Sequence, residues 1–371
     1  MSEWTLKKLS DVVELRRGFD LPHKQRESGP CRVLSAGETV GWHKEGPIKG
    51  PGFVVGRATN LGVPTWSNDD FWPLNTTLYA ADFKGNDPKF LFHLFETLDL
   101  SGYDSGSVQP MLNRNYISHV EVCIPDLPVQ RAIVEVLGAL DDKIAVNDRA
   151  VLVARQLGRA LFRAAAAAGP VRRIDEIASL ITRGVTPTYT TAEGMVVINQ
   201  KCVRDHWVDL RQARMMERSG ARADRVLRRD DVLVNSTGQG TLGRVARWII
   251  DKSDITIDTH VTLVRFDISA VEPACAGLAM LEVESRIEAL AEGSTGQTEL
   301  RRDLLSAIEL RLPVHQAQHS LGLRLRQLDD LATALTGESD RLAETRDQLL
   351  PLLMSGKVRV RDAERVASDV L

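Results

Sequence analysis

Residues 312–330 read LPVHQAQHSLGLRLRQLDD, and residues 124–142 read IPDLPVQRAIVEVLGALDD. Without a gap, Pro313 falls on Pro125, Gln318 on Gln130, and Leu328-Asp329-Asp330 on Leu140-Asp141-Asp142, at an offset of 188 (313−125, 318−130, 328−140). Each stretch opens a long run with apolar residues at helical spacing. In the later run Leu321, Leu328, Leu335, Leu342 and Leu349 form a heptad series, joined by Leu325, Leu331 and Leu352. A seven-residue repeat sustained this far predicts a coiled-coil seam from about His315 to Ser355, each Leu inserting between residues of a facing helix. Pro351 should end that helix or bend its last turn. The earlier run, from about Val129 to Ala168, contains no Pro and places Ile133, Leu140, Ala154 and Leu161 at multiples of seven. Val136, Leu137, Ile144 and Leu157 widen its stripe.

The match extends outward. Gly106-Ser107 answers Gly293-Ser294, and Glu121 answers Glu309. Near the front of each half, Lys7-Lys8-Leu9-Ser10-Asp11-Val12 answers Arg172-Arg173-Ile174-Asp175-Glu176-Ile177 at an offset of 165 (172−7), so the second half has gained about 22 residues in its middle. The chain is therefore an internal duplication: globular unit, long helix, globular unit, long helix. Ala164–Ala168 followed by Gly169-Pro170 closes the first helix, because alanines extend a helix and Gly-Pro stops it. Short β-type runs (Phe53–Val55, Met195–Ile198, Val232–Val234, Val261–Val264) and helical stretches (Phe90–Leu98, Ala274–Leu290) make both units α/β or α+β. The expected divisions are a first globular domain at 1–128, a central helix at 129–169, a second globular domain at 170–313, a C-terminal helix at 314–355 and a tail at 356–371.

The 371 residues are 43% hydrophobic and 26% charged, ordinary for a globular protein and unlike a disordered or fibrous one. The formal charge of -3 does not by itself advertise a nucleic-acid partner. No apolar run approaches the ~20 residues of a membrane helix, and MSEWTLKKLSDVV lacks the apolar core of a secretion signal. A cytoplasmic protein is expected. Cys31, Cys123, Cys202 and Cys275 are scattered, which suits reduced, buried thiols and neither a disulfide frame nor a zinc cluster. Local charge is more informative. Residues 171–250 hold 14 Lys/Arg against 9 Asp/Glu, and residues 251–312 hold 6 against 12. The basic part carries Arg204, Arg211, Arg214, Arg218, Arg222, Arg225, Arg228 and Arg229, suited either to phosphate contact or to a solvated surface of mixed signs.

Connectivity constrains the helices. If they pack on each other, the second must fold back along the first, so the pair is antiparallel with a globular unit at either end. A helix of about 36 residues at ~1.5 Å each spans roughly 54 Å, on the order of 15 base pairs at ~3.4 Å. Such a bar suits a ruler for a stiff, periodic ligand, of which duplex DNA is the obvious one; the alternative is a duplicated fold in which the helices only fill a core.

Further sequence sharpens this. The second unit has Val197-Ile198-Asn199-Gln200-Lys201-Cys202-Val203-Arg204, then Asp230 to Gly238, Gly240-Thr241-Leu242-Gly243-Arg244-Val245, Asp258-Thr259-His260-Val261-Thr262, and Gly293-Ser294-Thr295-Gly296-Gln297 before the Leu-Pro-x4-Gln helix start. The chain nearly ends on Leu352-Leu353-Met354-Ser355-Gly356-Lys357-Val358-Arg359-Val360, and the first unit has Phe53-Val54-Val55-Gly56-Arg57 and Phe71-Trp72-Pro73-Leu74-Asn75-Thr76. In order, and with the duplication, this resembles the specificity (S) subunit of type I restriction–modification systems over nearly the full chain. The resemblance implies an α+β (α/β) chain with two globular target-recognition domains separated by two long antiparallel coiled-coil helices. Each domain would read one half of a split, asymmetric site in double-stranded DNA. It implies assembly with modification (methyltransferase) subunits and, for cleavage, restriction subunits, with S-adenosylmethionine, ATP and magnesium only on those partners and no cofactor here. Asn147 is a departure, standing where the heptad has Leu335 on the other helix; a polar seam residue fixes register at some cost in stability.

Enzymatic motifs fail on context. Gly238-Gln239-Gly240-Thr241-Leu242-Gly243 matches G-x-G-x-x-G, but RVARWII (244–250) reads as a strand where a dinucleotide fold needs a helix. His315 and His319 have the spacing of H-E-x-x-H, but Gln316 replaces the Glu and no third metal ligand is evident. No E-x-K triplet and no N-P-P-[YF] run occurs. A chain that extruded a base for chemistry would need such a pocket, so a non-catalytic role is expected. Groove donors and acceptors are commonly Arg, Lys, Asn and Gln. The candidates for DNA contact are Arg16, Arg17, Lys44, Arg57 and Asn113 in the first unit, and Arg183, Lys201, Arg204, Asn235, Gln239 and Arg244 in the second. Arg57 and Arg244, beside Gly56 and Gly243, are the preferred pair. Trp42, Trp66, Trp72, Trp207 and Trp248 are expected as core anchors. The alternative is a duplicated adaptor that organises protein partners and never reads DNA.

Overall fold

The computed structural model describes residues 4–58, 60–105, 111–290 and 299–371. The matched pairs Gly106-Ser107 and Gly293-Ser294, with the run to Gln297, lie outside the described residues. The chain divides into two units, residues 1–146 with 338–371, and residues 147–337.

The first unit opens with β1 (Thr5–Lys8), β2 (Glu14–Arg17), β3 (Cys31–Ser35), β4 (Glu38–His43), β5 (Gly52–Gly56), β6 (Pro64–Ser67), β7 (Phe71–Pro73) and β8 (Thr77–Asp82), followed by helix α1 (Pro88–Thr97), β9 (Glu121–Ile124) and the long helix α2 (Leu127–Ala166). These strands form β1-β9, a four-stranded β2-β8-β5-β6, and a three-stranded β4-β3-β7 in which β3 and β7 are parallel; a short antiparallel pair joins Asp104–Ser105 to Met111–Leu112. β5 (GFVVG) is buried along its whole length, as an apolar run in the middle of a covered sheet must be.

The second unit repeats the plan. It has β10 (Val171–Arg173), β11 (Ala178–Arg183), β12 (Met195–Ile198), a short hairpin β13 (Val203–Arg204) and β14 (Trp207–Val208), then β15 (Arg214–Met216), β16 (Val232–Asn235), β17 (Val245–Arg247), β18 (Ile255–Ile257), β19 (Val261–Phe266), helix α3 (Pro273–Glu282) and β20 (Glu309–Arg311). Its sheets are β10-β20, β11-β19-β16-β17 and β15-β12-β18, again with one parallel pair, β12 and β18. The duplication read from spacing is thus a duplication of topology. Lys8 pairs with Glu121 as Arg173 pairs with Glu309. The added residues are distributed along the second unit, and the largest gain is 199–213, which carries the β13–β14 hairpin where the first unit turns directly from β3 to β4.

The second long helix, α4 (His315–Met354), like α2, has 40 residues, and α4 includes Pro351 in its last turn. Within the first unit, Arg346 Nη1 donates to Asp141 (2.8 Å) and Lys143 pairs with Glu338 (3.4 Å), so these parts of α2 and α4 run antiparallel. Within the second unit, Gly158 lies against Leu325 and Leu328 while Arg155, one turn earlier, is near Asp329, so the direction is again antiparallel. Ile133, Leu137, Leu140, Leu342 and Leu349 enter the first unit's core with Phe53, Leu78, Phe90 and Phe95. Phe162, Leu321 and Leu325 enter the second unit's core with Val232, Val234 and the apolar α3. Three stripe residues do not: Leu157, Leu331 and Leu352 are exposed, because they lie outside the narrow face that the facing helix covers.

The repeated glutamine has a structural reason. Gln130 Nε2 donates to the Pro125 carbonyl (2.9 Å) and to Asn86 (2.9 Å), while its Oε1 accepts the N–H of Asp87 (2.9 Å), the residue that caps α1. Gln318 donates to the Pro313 carbonyl (2.8 Å) and accepts the N–H of Glu272 (3.0 Å), which caps α3. Each buried amide ties the first turn of a long helix to the domain helix it leaves.

The residues after α4 form a further helix, α5 (Val360–Ser368), which buries Ala363 and Ala367 in the first unit's core. Gly356, at φ +68°, lies against the Trp4 ring, so Ser355-Gly356 joins that unit's end to its beginning. Two expectations need correction. Of the four thiols only Cys202 and Cys275 are buried; Cys123 alternates outward on β9 and is exposed, and Cys31 is half-buried. Of the tryptophans only Trp248 is fully buried, whereas Trp42 is exposed on β4.

Candidate nucleic-acid interface

The eleven candidate residues separate by register. Arg17 is the last residue of β2 and pairs with Leu78. Arg183 is the last residue of β11 and pairs with Thr262. Each is followed by a glycine (Gly18, Gly184) whose N–H bonds to the start of the neighbouring strand, Thr77 at 3.1 Å and Val261 at 3.2 Å. A Cβ at either glycine would collide with a carbonyl oxygen, of Leu74 or of Ile257, and a parallel bridge follows in both units (Phe19 to Leu74, Val185 to Asp258). Arg17-Gly18 and Arg183-Gly184 are therefore the same position used twice. The signal was present in LRRG (15–18) and ITRG (181–184), at an offset of 166 (183−17) that matches neither terminal pairing. Arg17 is exposed with no carboxylate partner among the described residues. Arg183 is held more tightly, paired with Glu299 and donating to the Leu300 carbonyl (3.1 Å).

Arg57 and Arg244 are not equivalents. Gly56 bonds to Val63 and Gly62 as Asn235 bonds to Arg244 and Gly243. The counterpart of Arg244 is Val63, and that of Arg57 is Ser236. The two arginines flank corresponding hairpin turns on opposite strands; what corresponds is Gly62 and Gly243, at φ +79° and +83°. Arg57 is half-buried without a side-chain partner among the described residues, and Arg244 bonds back to the Gly240 carbonyl (2.9 Å). Gln239 is exposed on the same turn.

Two candidates are engaged by their own fold. Asn235 is fully buried and donates to the carbonyls of Gln200 (3.0 Å) and Thr241 (3.1 Å), so it holds the turn together. Asn113 accepts the N–H of Asn115 (3.0 Å) as the cap of a short helix. Arg16 and Lys44 are exposed but engaged by Glu14 (2.7 Å) and Glu27 (3.0 Å), ion pairs weak enough in water to be given up to a phosphate. Lys201 and Arg204 are exposed beside the added hairpin, with no ion pair among the described residues.

The basic segment is largely self-neutralised. Arg211 bonds Asp209, Arg218 bonds Asp254, Arg222 and Arg225 bond Asp224, and Arg229 bonds Asp330. Arg204, Arg214 and Arg228 make no ion pair among the described residues, although each feels a carboxylate nearby (Asp209, Asp258 and Asp231). A separate network sits underneath. Arg247 on β17, 6% exposed, binds Asp230 (3.2 Å) and Asp329 of α4 (2.8 Å), and Arg326 binds Asp230 (3.0 Å) and Glu272. Burial raises the Asp329 carboxyl above its ordinary range, against the pull of Arg247. This network locks the sheet to the helix, with Arg247 Nε left without a hydrogen-bond partner among the described residues. Burial likewise pushes the Cys202 thiol up to about 11 and the Cys275 thiol up to about 12, which disqualifies both as nucleophiles. Among the described residues no cluster of metal-ligating side chains is found, and no helix is long and apolar enough to cross a membrane.

Residues 1–151 match the model of the type I restriction modification DNA specificity domain. No curated protein matches the chain. Among solved structures, the fold is that of the type I restriction-modification system S subunit from M. genitalium, at 14% identity and a TM-score of 0.66, covering 95% of this chain and 96% of that one. The HsdS subunit from Thermoanaerobacter tengcongensis aligns over 96% of this chain and 97% of its own, at 16% identity and a TM-score of 0.35.

Proposed function

We propose that this chain, whose residues 1–151 belong to the type I restriction modification DNA specificity domain family, is the specificity subunit of a type I restriction–modification complex. It binds double-stranded DNA without catalysing a reaction, and each globular unit reads one half of a bipartite, asymmetric site. The observation that carries this is the repetition of the specificity-domain plan, strand for strand, in residues 171–311. Two similar units with different side chains suit a site of two unlike halves. Paired 40-residue helices would set the spacing between those halves. The helices also expose Leu152, Val153, Leu157, Leu323 and Leu331, apolar surface suited to a protein partner. Methyltransferase subunits docked there would bring S-adenosylmethionine, and restriction subunits would bring ATP and magnesium. A cytoplasmic location follows from that role.

The test is selection of bound fragments from random duplex DNA by the chain assembled with its methyltransferase subunits. A two-part sequence with fixed spacing is expected. Absence of any enriched sequence, or co-purification only with proteins lacking methyltransferase motifs, would favour the adaptor reading.

A further inference from the structure

In the second unit a cleft of about 410 Å³ is walled by Tyr189, Gln200, Lys201, Arg214, Asp258 and His260. We propose that this cleft is a DNA-groove site in which Lys201 and Arg214 contact backbone phosphates and Gln200 reads a base edge. The inference rests on the DNA-reading role proposed above and assigns it a place and residues.

Charge is the first argument. Lys201 and Arg214 are exposed and make no ion pair or side-chain hydrogen bond to a carboxylate among the described residues, although Arg214 acts on Asp258 through charge, whereas most neighbouring arginines are ion-paired. The one carboxyl in the wall, Asp258, is buried and accepts the N–H of His260 (2.9 Å), and burial raises it above the ordinary carboxylate range. Lys201 and Arg214 are thus exposed cations at the mouth, and the carboxyl in the wall is buried. The Arg214 guanidinium stands 5.0 Å from the Tyr189 ring centre, which orients it without neutralising it.

The second argument is an unused reading group. The Gln200 side-chain amide has no hydrogen-bond partner among the described residues. Its backbone, by contrast, is pinned: the Gln200 carbonyl accepts from buried Asn235 (3.0 Å), and next to it Asn199 donates to the Gln212 carbonyl (2.9 Å) while accepting the Lys201 N–H (2.8 Å). A glutamine amide on a fixed backbone pairs in bidentate fashion with an adenine edge in the major groove.

The third argument is asymmetry. By register, Arg214 corresponds to Gly41, Asp258 to Leu74 and His260 to Thr76. Gln200 and Lys201 lie in 199–213, where the first unit has only 35–40. The cleft belongs to one unit alone and so bears on one half-site alone.

The experiment compares the wild-type complex with single variants Gln200→Glu, Lys201→Gln and Arg214→Gln, by selection from random duplex and by binding at several salt concentrations. Gln200→Glu should change the preference at one position of one half-site by roughly 5- to 150-fold. Lys201→Gln and Arg214→Gln should each lower the salt slope by about 1, with little change in the selected sequence. The other half-site should be selected as before, which reports a folded complex. Unchanged selection and slope in all three variants, or a loss that strikes both half-sites alike, overturns the assignment. If the wild-type complex selects no sequence, the DNA-reading role itself fails, a separate outcome.

Discussion

Arg17 and Arg183 occupy one structural position, the last residue of the outer strand in each four-stranded sheet, 166 residues apart in sequence (183−17). The glycine after each is forced by a carbonyl oxygen where a Cβ would be, so the arginine is presented at the same turn in both units. The two differ in what holds them: Arg17 is free of carboxylates among the described residues, and Arg183 is engaged by Glu299. Arg17→Ala is therefore expected to lower DNA affinity and reduce the salt slope by about 1 with the selected sequence intact. Arg183→Ala should lower thermal stability as well, because Leu300 and Glu299 lose their tether. Binding isotherms at graded salt, with a melting curve for each variant, check both; an unchanged slope for Arg17→Ala would remove it from the interface.

Gln130→Leu is expected to cost about 1–3 kcal/mol, since the Asp87 N–H and the Pro125 carbonyl lose a buried partner. Gln318→Leu should cost a similar amount through Glu272 and Pro313. Urea titration measures each. Changes within error would mean that the repeated glutamine is not what secures the helix start.

Arg247→Met leaves Asp230 and Asp329 facing each other in a buried place. A loss of about 3–5 kcal/mol is expected, as for removal of one partner of a buried ion pair. The loss should shrink in acid, because Asp329 already has a raised folded pKa and protonation relieves the uncompensated charge. A loss independent of pH would contradict this.

Glu282 gives the opposite sign. Burial pushes its carboxyl up, but hydrogen bonds from Arg163 and Arg159 outweigh burial and hold it below the ordinary range. Its stabilising contribution is present above the unfolded-state value and disappears as pH falls through the folded one. Glu282→Gln should thus be less stable than wild type at pH 7 and indistinguishable from it once the wild-type Glu282 is protonated at low pH.

Thiol labelling distinguishes the cysteines. Cys123, exposed on β9, should react promptly with a disulfide reagent at pH 8, and half-buried Cys31 more slowly. Cys202 and Cys275, buried and pushed to about 11 and about 12, should react only in denaturant. Four equal rates in the native protein would be inconsistent with the packing described.

Spacing alone made the duplication legible, because the heptad seam keeps both helix starts in one register and the 188-residue offset intact. The glutamine was visible for the same reason, although its partners were not, since Asp87 and Glu272 are distant in sequence. The arginine-glycine equivalence was hidden, because loop insertions shift the offset between strands. The pairing of Arg57 with Arg244 failed on a shared dipeptide: a Gly-Arg step looks alike on either strand of a hairpin, and only the hydrogen-bond register tells them apart. Asn235 was misplaced because burial of a polar residue depends on acceptors contributed by other loops. Much of the arginine cluster is neutralised by aspartates close in sequence, such as Asp209 and Asp224, which a residue-by-residue charge count already contained.

The proposed role, in which each unit reads one half-site and the helices set the spacing between the halves, is tested most directly by inserting four residues within Ala164–Ala168 and repeating the selection with the assembled complex. Four helical residues add about 6 Å, roughly two base pairs of duplex. Both half-sites should be recovered unchanged with a longer gap between them. Recovery of altered half-sites, or of the original spacing, would contradict it.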